Sequence, residues 1–470
     1  MEWTGTFEIP NSGVRVGGRL TIDAGESVLT TFGALAQPSG EPVTDIFAHD
    51  DGQTLPMVWC VTEEGERLTL LDLVSLGGSL STVGTDLTTT RQQWIVGSAI
   101  GALIEPVEPV TFSSIAFGLT DLSAWLQTPR PSQDVRWDDP QVDLSVTAPG
   151  IAEMTYEGLI ISFGGQLGMR SGFDTVTVEY PARVTGTPPE EMTWEDLVNT
   201  VVTPIEAMLW IATGRFSALE EPNVRLEGDP PRHYRLWISP LQPQRFTKPE
   251  HRISQHDMLY TAADIPGGVE TGVTKWLGIW DDISPAFGPV IARYRAPFTY
   301  ANDRFHAAVA ALESYSDRRN KPPTLTKAER KGRRKRVEQA IQSQEPDLTE
   351  WVMTAVREAE RPNLRTRLDH LLSEAGDVGQ ALTGEDRDYF LSAVVKARHA
   401  YAHSTRMVGA IEGGPALHWA AQGLNWVLRY HALTEIGFDP AQGRERVLTD
   451  TTFVQETDRL RQALERPESA

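Results

Sequence analysis

The period of the apolar residues changes once along this chain, and that change restricts what it can fold into. Over roughly the first 240 residues, apolar and polar residues alternate in short runs, the signature of strands with one buried face. Val14-Arg15-Val16 and Arg19-Leu20-Thr21-Ile22 flank a Gly-Gly pair, which suits a bent strand or a hairpin. Residues 142–146 and 175–180 repeat the period of two, and Gly and Pro punctuate the intervals. One helix interrupts the pattern. Thr193-Trp194-Glu195-Asp196 reads as a capped first turn, followed by Leu197, Val201, Ile205 and Leu209 at helical spacing. A further strand is expected at 233–238. From residue 302 the period is helical. Phe305, Val309 and Leu312 share a face, and further helices are expected at 335–359, at 363–374, from a cap at Thr383, and at 416–436.

These patterns predict an α+β, multidomain chain. Residues 1–240 form a β-rich N-terminal domain, a sandwich or open barrel. Residues 241–300, Pro-rich and carrying Trp276, Trp280, Tyr294 and Tyr300, form a helical connector. Residues 301–470 form a bundle of four to six helices. The length of 470 residues agrees with more than one core. No run approaches the ~20 apolar residues that span a bilayer, and Met1 to Thr6 lacks a signal-peptide pattern. The single cysteine, Cys60, reads as a core residue and rules out an internal disulfide framework. A cytoplasmic protein is expected, without contact to membrane.

Charge sharpens the division. The net charge of -21 is unequally distributed. Residues 1–300 hold 18 basic and 39 acidic side chains, whereas residues 301–470 hold 25 of each. Within the neutral half the basic residues cluster. From Arg318 to Arg336 there are ten Lys or Arg and one acid, Glu329, with Arg333-Arg334-Lys335-Arg336 the densest stretch. Such a run either grips phosphates without regard to sequence or is a solvated linker after Pro322-Pro323.

The segment with the most chemistry is Lys396-Ala397-Arg398-His399-Ala400-Tyr401-Ala402-His403-Ser404, at the end of an apolar helix. Cleaving RNA without a metal requires a base for the 2′-hydroxyl, a cation for charge on phosphorus, and an acid for the leaving 5′-oxygen. An arginine offers forked donors that match phosphate oxygens. A histidine exchanges protons near neutral pH. Spacing alone is not decisive, because Arg365 to His370 and Arg245 to His251 are similarly spaced. On an ideal helix, five positions turn by about 140°, so Arg398 and His403 do not share a face. Either the helix loosens near His403, or residues of two protomers combine. Tyr401 is placed either to stack on a base or to pack in the core. His306 and His370 read as surface histidines.

Arg-His-x-x-x-His resembles the signature of HEPN ribonucleases, an arginine and a polar residue followed by a histidine. Arg304-Phe305-His306 with Ala311-Leu312-Glu313 resembles the opening helix of the HEPN domain in ApeA-like anti-phage defence proteins. Residues 112–125, and Trp276-Leu277-Gly278-Ile279-Trp280, resemble pieces of their N-terminal domain. The resemblance implies a metal-independent, cofactor-free endoribonuclease acting in abortive infection as a homodimer or higher oligomer. RNA, with tRNA among the candidates, is then the substrate, and a phage-derived trigger acts through the N-terminal domain. Carried to this chain, Arg398 stabilises the scissile phosphate, His403 is the acid or base, His399 orients them, and Glu313 steadies the arginine. The competing expectation is a non-enzymatic binding protein with a β recognition domain and a helical dimerisation bundle. A metal hydrolase is disfavoured, since neither HExxH nor a phosphate-binding Gly loop occurs.

Overall fold

The computed structural model describes all residues except 23–26, 36–52, 84–86, 129–131, 139–140, 148–151, 172–175, 228–230, 239–252, 297–298, 323–325, 361, 403–410, 412 and 465–470. Its contacts divide the chain into two units: Met1–Thr274 with Arg295–Pro297, and Lys275–Tyr294 with Phe298–Ala470.

The first unit is built on antiparallel strands. Six of them, β1 (Glu2–Glu8), β2 (Arg15–Ile22), β3 (Ser27–Phe32), β4 (Thr54–Thr62), β5 (Arg67–Val83) and β6 (Leu87–Ile100), pair in the cyclic order β1-β2-β3-β6-β5-β4. The ring closes where β4 returns to β1, with Phe7 opposite Cys60. Closure leaves no free edge on that ring and directs alternate side chains inward. Phe7, Leu20, Leu29, Val58, Cys60, Leu70 and Trp94 fill it, none of them exposed to solvent. Burial pushes the Cys60 thiol up to about 12, so it serves as a small apolar core residue. The Gly17-Gly18 pair lies within the single strand β2. A Cβ at Gly18 would stand 2.7 Å from the Thr30 carbonyl oxygen, so the pair marks close approach of neighbouring strands.

An open sheet grows from the second half of β6. It continues through β7 (Ser114–Leu119), β10 (Ala152–Tyr156), β11 (Leu159–Gly165), β14 (Ala182–Thr187), β15 (Leu219–Leu226) and β16 (Arg232–Ile238), in the order β16-β15-β7-β14-β11-β10. The remaining strands form two separate hairpins, β8 (Ser132–Asp138) with β9 (Gln141–Thr147), and β12 (Gly168–Ser171) with β13 (Val176–Glu179). A short helix, α1 (Leu122–Trp125), follows β7. The helix expected after Thr193 is present as α2 (Trp194–Leu197), a π turn, and α3 (Thr203–Thr213). The Thr193 hydroxyl accepts from the Asp196 amide at 3.2 Å, and Leu197, Val201, Ile205 and Leu209 are all fully buried. Gly186 of β14 admits this helix, because a Cβ there would meet Val201 at 2.4 Å.

After α4 (Gly268–Gly278) and α5 (Trp280–Arg295) come nine described helices. These are α6 (Ala301–Arg318), α7 (Lys327–Ala340), α8 (Pro346–Ala359), α9 (Leu364–Glu374), α10 (Asp377–Thr383), α11 (Arg387–Ala402), α12 (Gly414–Ile436), α13 (Pro440–Thr449) and α14 (Thr451–Leu464). The centre is α12, buried on nearly every face and packed against α6 and α14.

The bundle differs from the sequence expectation in three places. The stretch 335–359 is two helices, because the chain turns at 341–345 and restarts at Pro346, a residue suited to a first turn. Thr383 ends α10 instead of capping a helix. The start of α11 is tied by Asp386, whose carboxylate accepts from the Tyr389 amide at 2.9 Å. Two more helices follow residue 436. Lys327 to Arg336, the denser part of the basic run, lie on α7, opened by a reciprocal cap between Thr326 and Glu329, while Arg318 ends α6. Those hydrogen bonds from Thr326 hold the Glu329 carboxyl below its ordinary range.

Candidate active site

The apolar face of α11 decides which of its polar residues reach the bundle. Phe390, Leu391, Val394, Ala397 and Ala400 are buried, and they draw the flanking Arg398 and Tyr401 against α6. Arg398 meets Glu313 there, with Nη2 and Oε2 3.5 Å apart and the two side chains 30% and 23% exposed. At that distance the pair is electrostatic more than a tight hydrogen bond, and the guanidinium fork retains donors for another anion. Its Nε is buried and has no partner among the described residues.

One turn on, the Tyr401 hydroxyl donates to the Asp303 carboxylate at 2.5 Å. The His306 ring stacks on that of Tyr401, with centroids 5.0 Å apart and planes inclined by 30°. The hydrogen bond to Asp303, followed by burial, raises the Tyr401 pKa, so the phenol stays protonated. His306 is therefore half-buried against Tyr401, not a surface histidine, and His370 is likewise held, its Nε2 2.8 Å from the Asn320 side-chain oxygen.

Of the site residues expected from sequence, the structure thus brings together Arg398 and Glu313, and it holds Tyr401 against Asp303 and His306 instead. His399 is exposed on the neighbouring side of α11. His403 lies outside the described residues. Arg333, Lys335 and Arg336 are exposed on α7, whereas Arg334 donates through Nε to Glu360 at 2.9 Å. Among the described residues no hydrogen bond or ion pair joins α7 to α6 or α11. The Arg334 hydrogen bond holds the Glu360 carboxyl below its ordinary range.

One residue of this cluster, Asp303, was not singled out from sequence, and His306 was read there as a surface residue. A signal existed. Asp303, His306 and Glu313 stand at i, i+3 and i+10, one line along α6 beside its apolar face. Among the described residues no group of three or more His, Cys, Asp or Glu is placed to hold a metal ion. No described helix is long and apolar enough to cross a membrane.

A β-barrel and sheet unit ahead of a helical bundle, with an arginine–glutamate pair near the end of an Arg-His-bearing helix, defines a two-part protein with a HEPN-type helical domain. The family model for ApeA N-terminal domain 1 matches residues 2–276, and that for Apea-like HEPN matches residues 306–442. The chain belongs to the ApeA-like family, and its HEPN domain supports a nuclease role in defence. The second match includes His306, Glu313, Arg398, His399, Tyr401 and His403, and begins after Asp303. Among curated proteins and among solved structures, none matches this chain.

Proposed function

We propose that this chain is a metal-independent endoribonuclease that cleaves RNA in abortive infection, with its N-terminal unit sensing a phage-derived trigger. The observation that carries the reading is the Arg398–Glu313 pair on the matched HEPN domain: a partly exposed guanidinium, oriented by a carboxylate, with donors left over. In the proposed reaction a base takes the proton of the ribose 2′-hydroxyl. The 2′-oxygen bonds to phosphorus, and the bond from phosphorus to the 5′-oxygen breaks. An acid returns a proton to that oxygen. The products are a 2′,3′-cyclic phosphate and a 5′-hydroxyl, and no electron is exchanged. Arg398 stabilises the charge on the phosphoryl oxygens. His403 exchanges a proton, His399 orients the pair, and Glu313 keeps Arg398 in place.

Two copies acting together answer the helical geometry, since Arg398 and His403 are separated by about 140° on a regular helix. The exposed cations of α7 gather RNA by attraction to phosphate. Purified protein incubated with total RNA in EDTA tests the chemistry. The expected result is undiminished cleavage leaving 2′,3′-cyclic phosphate ends. Loss of cleavage on chelation, or ends of another kind, contradicts the mechanism. For the sensing role, removal of residues 1–274 is expected to raise basal cleavage, and equal rates in both chains contradict restraint.

A further inference from the structure

A second set of polar and aromatic side chains joins α6 to the first turns of α12. Arg304 follows Asp303 on α6, and its guanidinium lies over the Tyr294 ring at 5.4 Å. The Tyr294 hydroxyl donates to the Gln422 side-chain oxygen at 2.6 Å and accepts from Asn425 at 3.1 Å. Gln422 stands four residues after His418, so His418 lies one turn closer to the start of α12 on the same face. Its imidazole meets Trp419 edge-on at 4.6 Å, and the Arg459 guanidinium of α14 lies 5.0 Å from the same indole.

Three properties of this surface fit a polyanion that carries rings. Arg304 and Arg459 have no carboxylate partner among the described residues, while Arg319, Arg365, Arg367 and Arg387 of the same unit are all paired. Both unpaired cations are close enough to act on His418, which burial and their charge hold below its ordinary pKa. At neutral pH that imidazole is an uncharged hydrogen-bonding group beside Trp419. Trp419 is half-buried and so keeps part of its ring available. Stacked Arg and Trp side chains beside unpaired cations are what single strands bind, through bases on the aromatic ring and phosphates on the guanidiniums.

We infer that Arg304, His418, Trp419 and Arg459 form a binding surface for single-stranded RNA, with phosphates on the two arginines and a base on Trp419. This rests on the ribonuclease reading and gives the substrate strand a foothold on α6, α12 and α14. It is separate from the basic run on α7, which was the RNA contact expected from sequence. His418 and Trp419 fall within the matched HEPN segment, whereas Arg304 and Arg459 fall outside it.

The test uses the full chain and a short fluorescent single strand with 2′-O-methyl sugars, which cannot form a cyclic phosphate. Anisotropy is followed at several salt concentrations. Arg304→Gln and Arg459→Gln are each expected to weaken binding about 5-fold, and to reduce the slope of log affinity against log salt by about 0.7. Trp419→Ala is expected to weaken binding on the order of 10-fold with the slope unchanged, and Trp419→Phe to retain most of the affinity. Arg365→Gln, a paired cation on α9, serves as the control and leaves affinity unchanged. If the parent binds and the Arg304, Arg459 and Trp419 variants bind equally well, the surface is overturned and the ribonuclease reading stands. If the parent binds no single strand and cleaves no RNA, both fall.

Discussion

Arg398 of α11 and Glu313 of α6 face each other at 3.5 Å, 85 positions apart in the chain, as a partly exposed ion pair. Pairs this exposed contribute about 0–1 kcal/mol to stability, so the contact is poorly explained as a device for holding the bundle together. In the proposed mechanism it orients the guanidinium. Glu313→Gln keeps the volume and removes the charge. The expected outcome is a melting temperature within a few degrees of the parent and a kcat about 10-fold lower at unchanged KM. Unchanged turnover would remove Glu313 from the site.

Tyr401 is tied at both its hydroxyl and its ring. Tyr401→Phe keeps the stacking on His306 and deletes the hydrogen bond to Asp303. The loss is expected to be about 1 kcal/mol, since Asp303 remains within reach of water. Thermal denaturation would then fall by about 2–4 °C for a unit of this size. An unaltered melting curve would show that the hydrogen bond does not hold α11 to α6. If Tyr401 instead serves RNA as a stacking ring, the Phe variant keeps its affinity and the melting curve does not move.

His431 predicts how the bundle responds to acid. It is buried in α12, its Nε2 stands 3.0 Å from the Leu371 carbonyl oxygen, and burial pushes its pKa down to about 4. An unfolded chain takes up this proton near ~6.5, whereas the folded chain resists until about 4. The unfolded state therefore binds more protons between those values, and stability falls as pH drops through that window. The contribution is about 3 kcal/mol at most. His431→Gln, which keeps a donor for Leu371, is expected to flatten the decline in denaturation midpoint between pH 6.5 and 4.5. A parent and variant with parallel pH profiles would assign the acid sensitivity to other groups.

How far these features could be read in the sequence depended on whether the signal was local. The apolar spacing of α6, α11 and α12, the Thr193 cap and the strand at 233–238 are local patterns, and each reappears in the structure. Barrel closure is not local. It depends on β4 returning to β1 and on the long β5–β6 pairing, and the same alternation suits a sandwich or an open barrel. The break at 341–345 was marked by Pro346, which reads equally as a residue inside one long helix or as the first turn of a second. The Asp303–Tyr401 and His306–Tyr401 contacts join residues nearly a hundred positions apart. Helical period fixes which face each presents, and only packing selects the neighbour. Arg398, His399 and His403 could be picked from the sequence as residue types suited to the proposed chemistry, but not as a geometry.

The most direct measurement compares the parent with Arg398→Ala and His403→Ala in a cleavage assay on total RNA, with folding of each variant checked by circular dichroism. In the proposed mechanism Arg398 supplies charge stabilisation and His403 proton transfer, so each variant is expected to lose on the order of 100-fold or more in rate while remaining folded. Folded variants that cleave RNA as fast as the parent would contradict the assignment of the site and leave the helical bundle without its proposed chemistry.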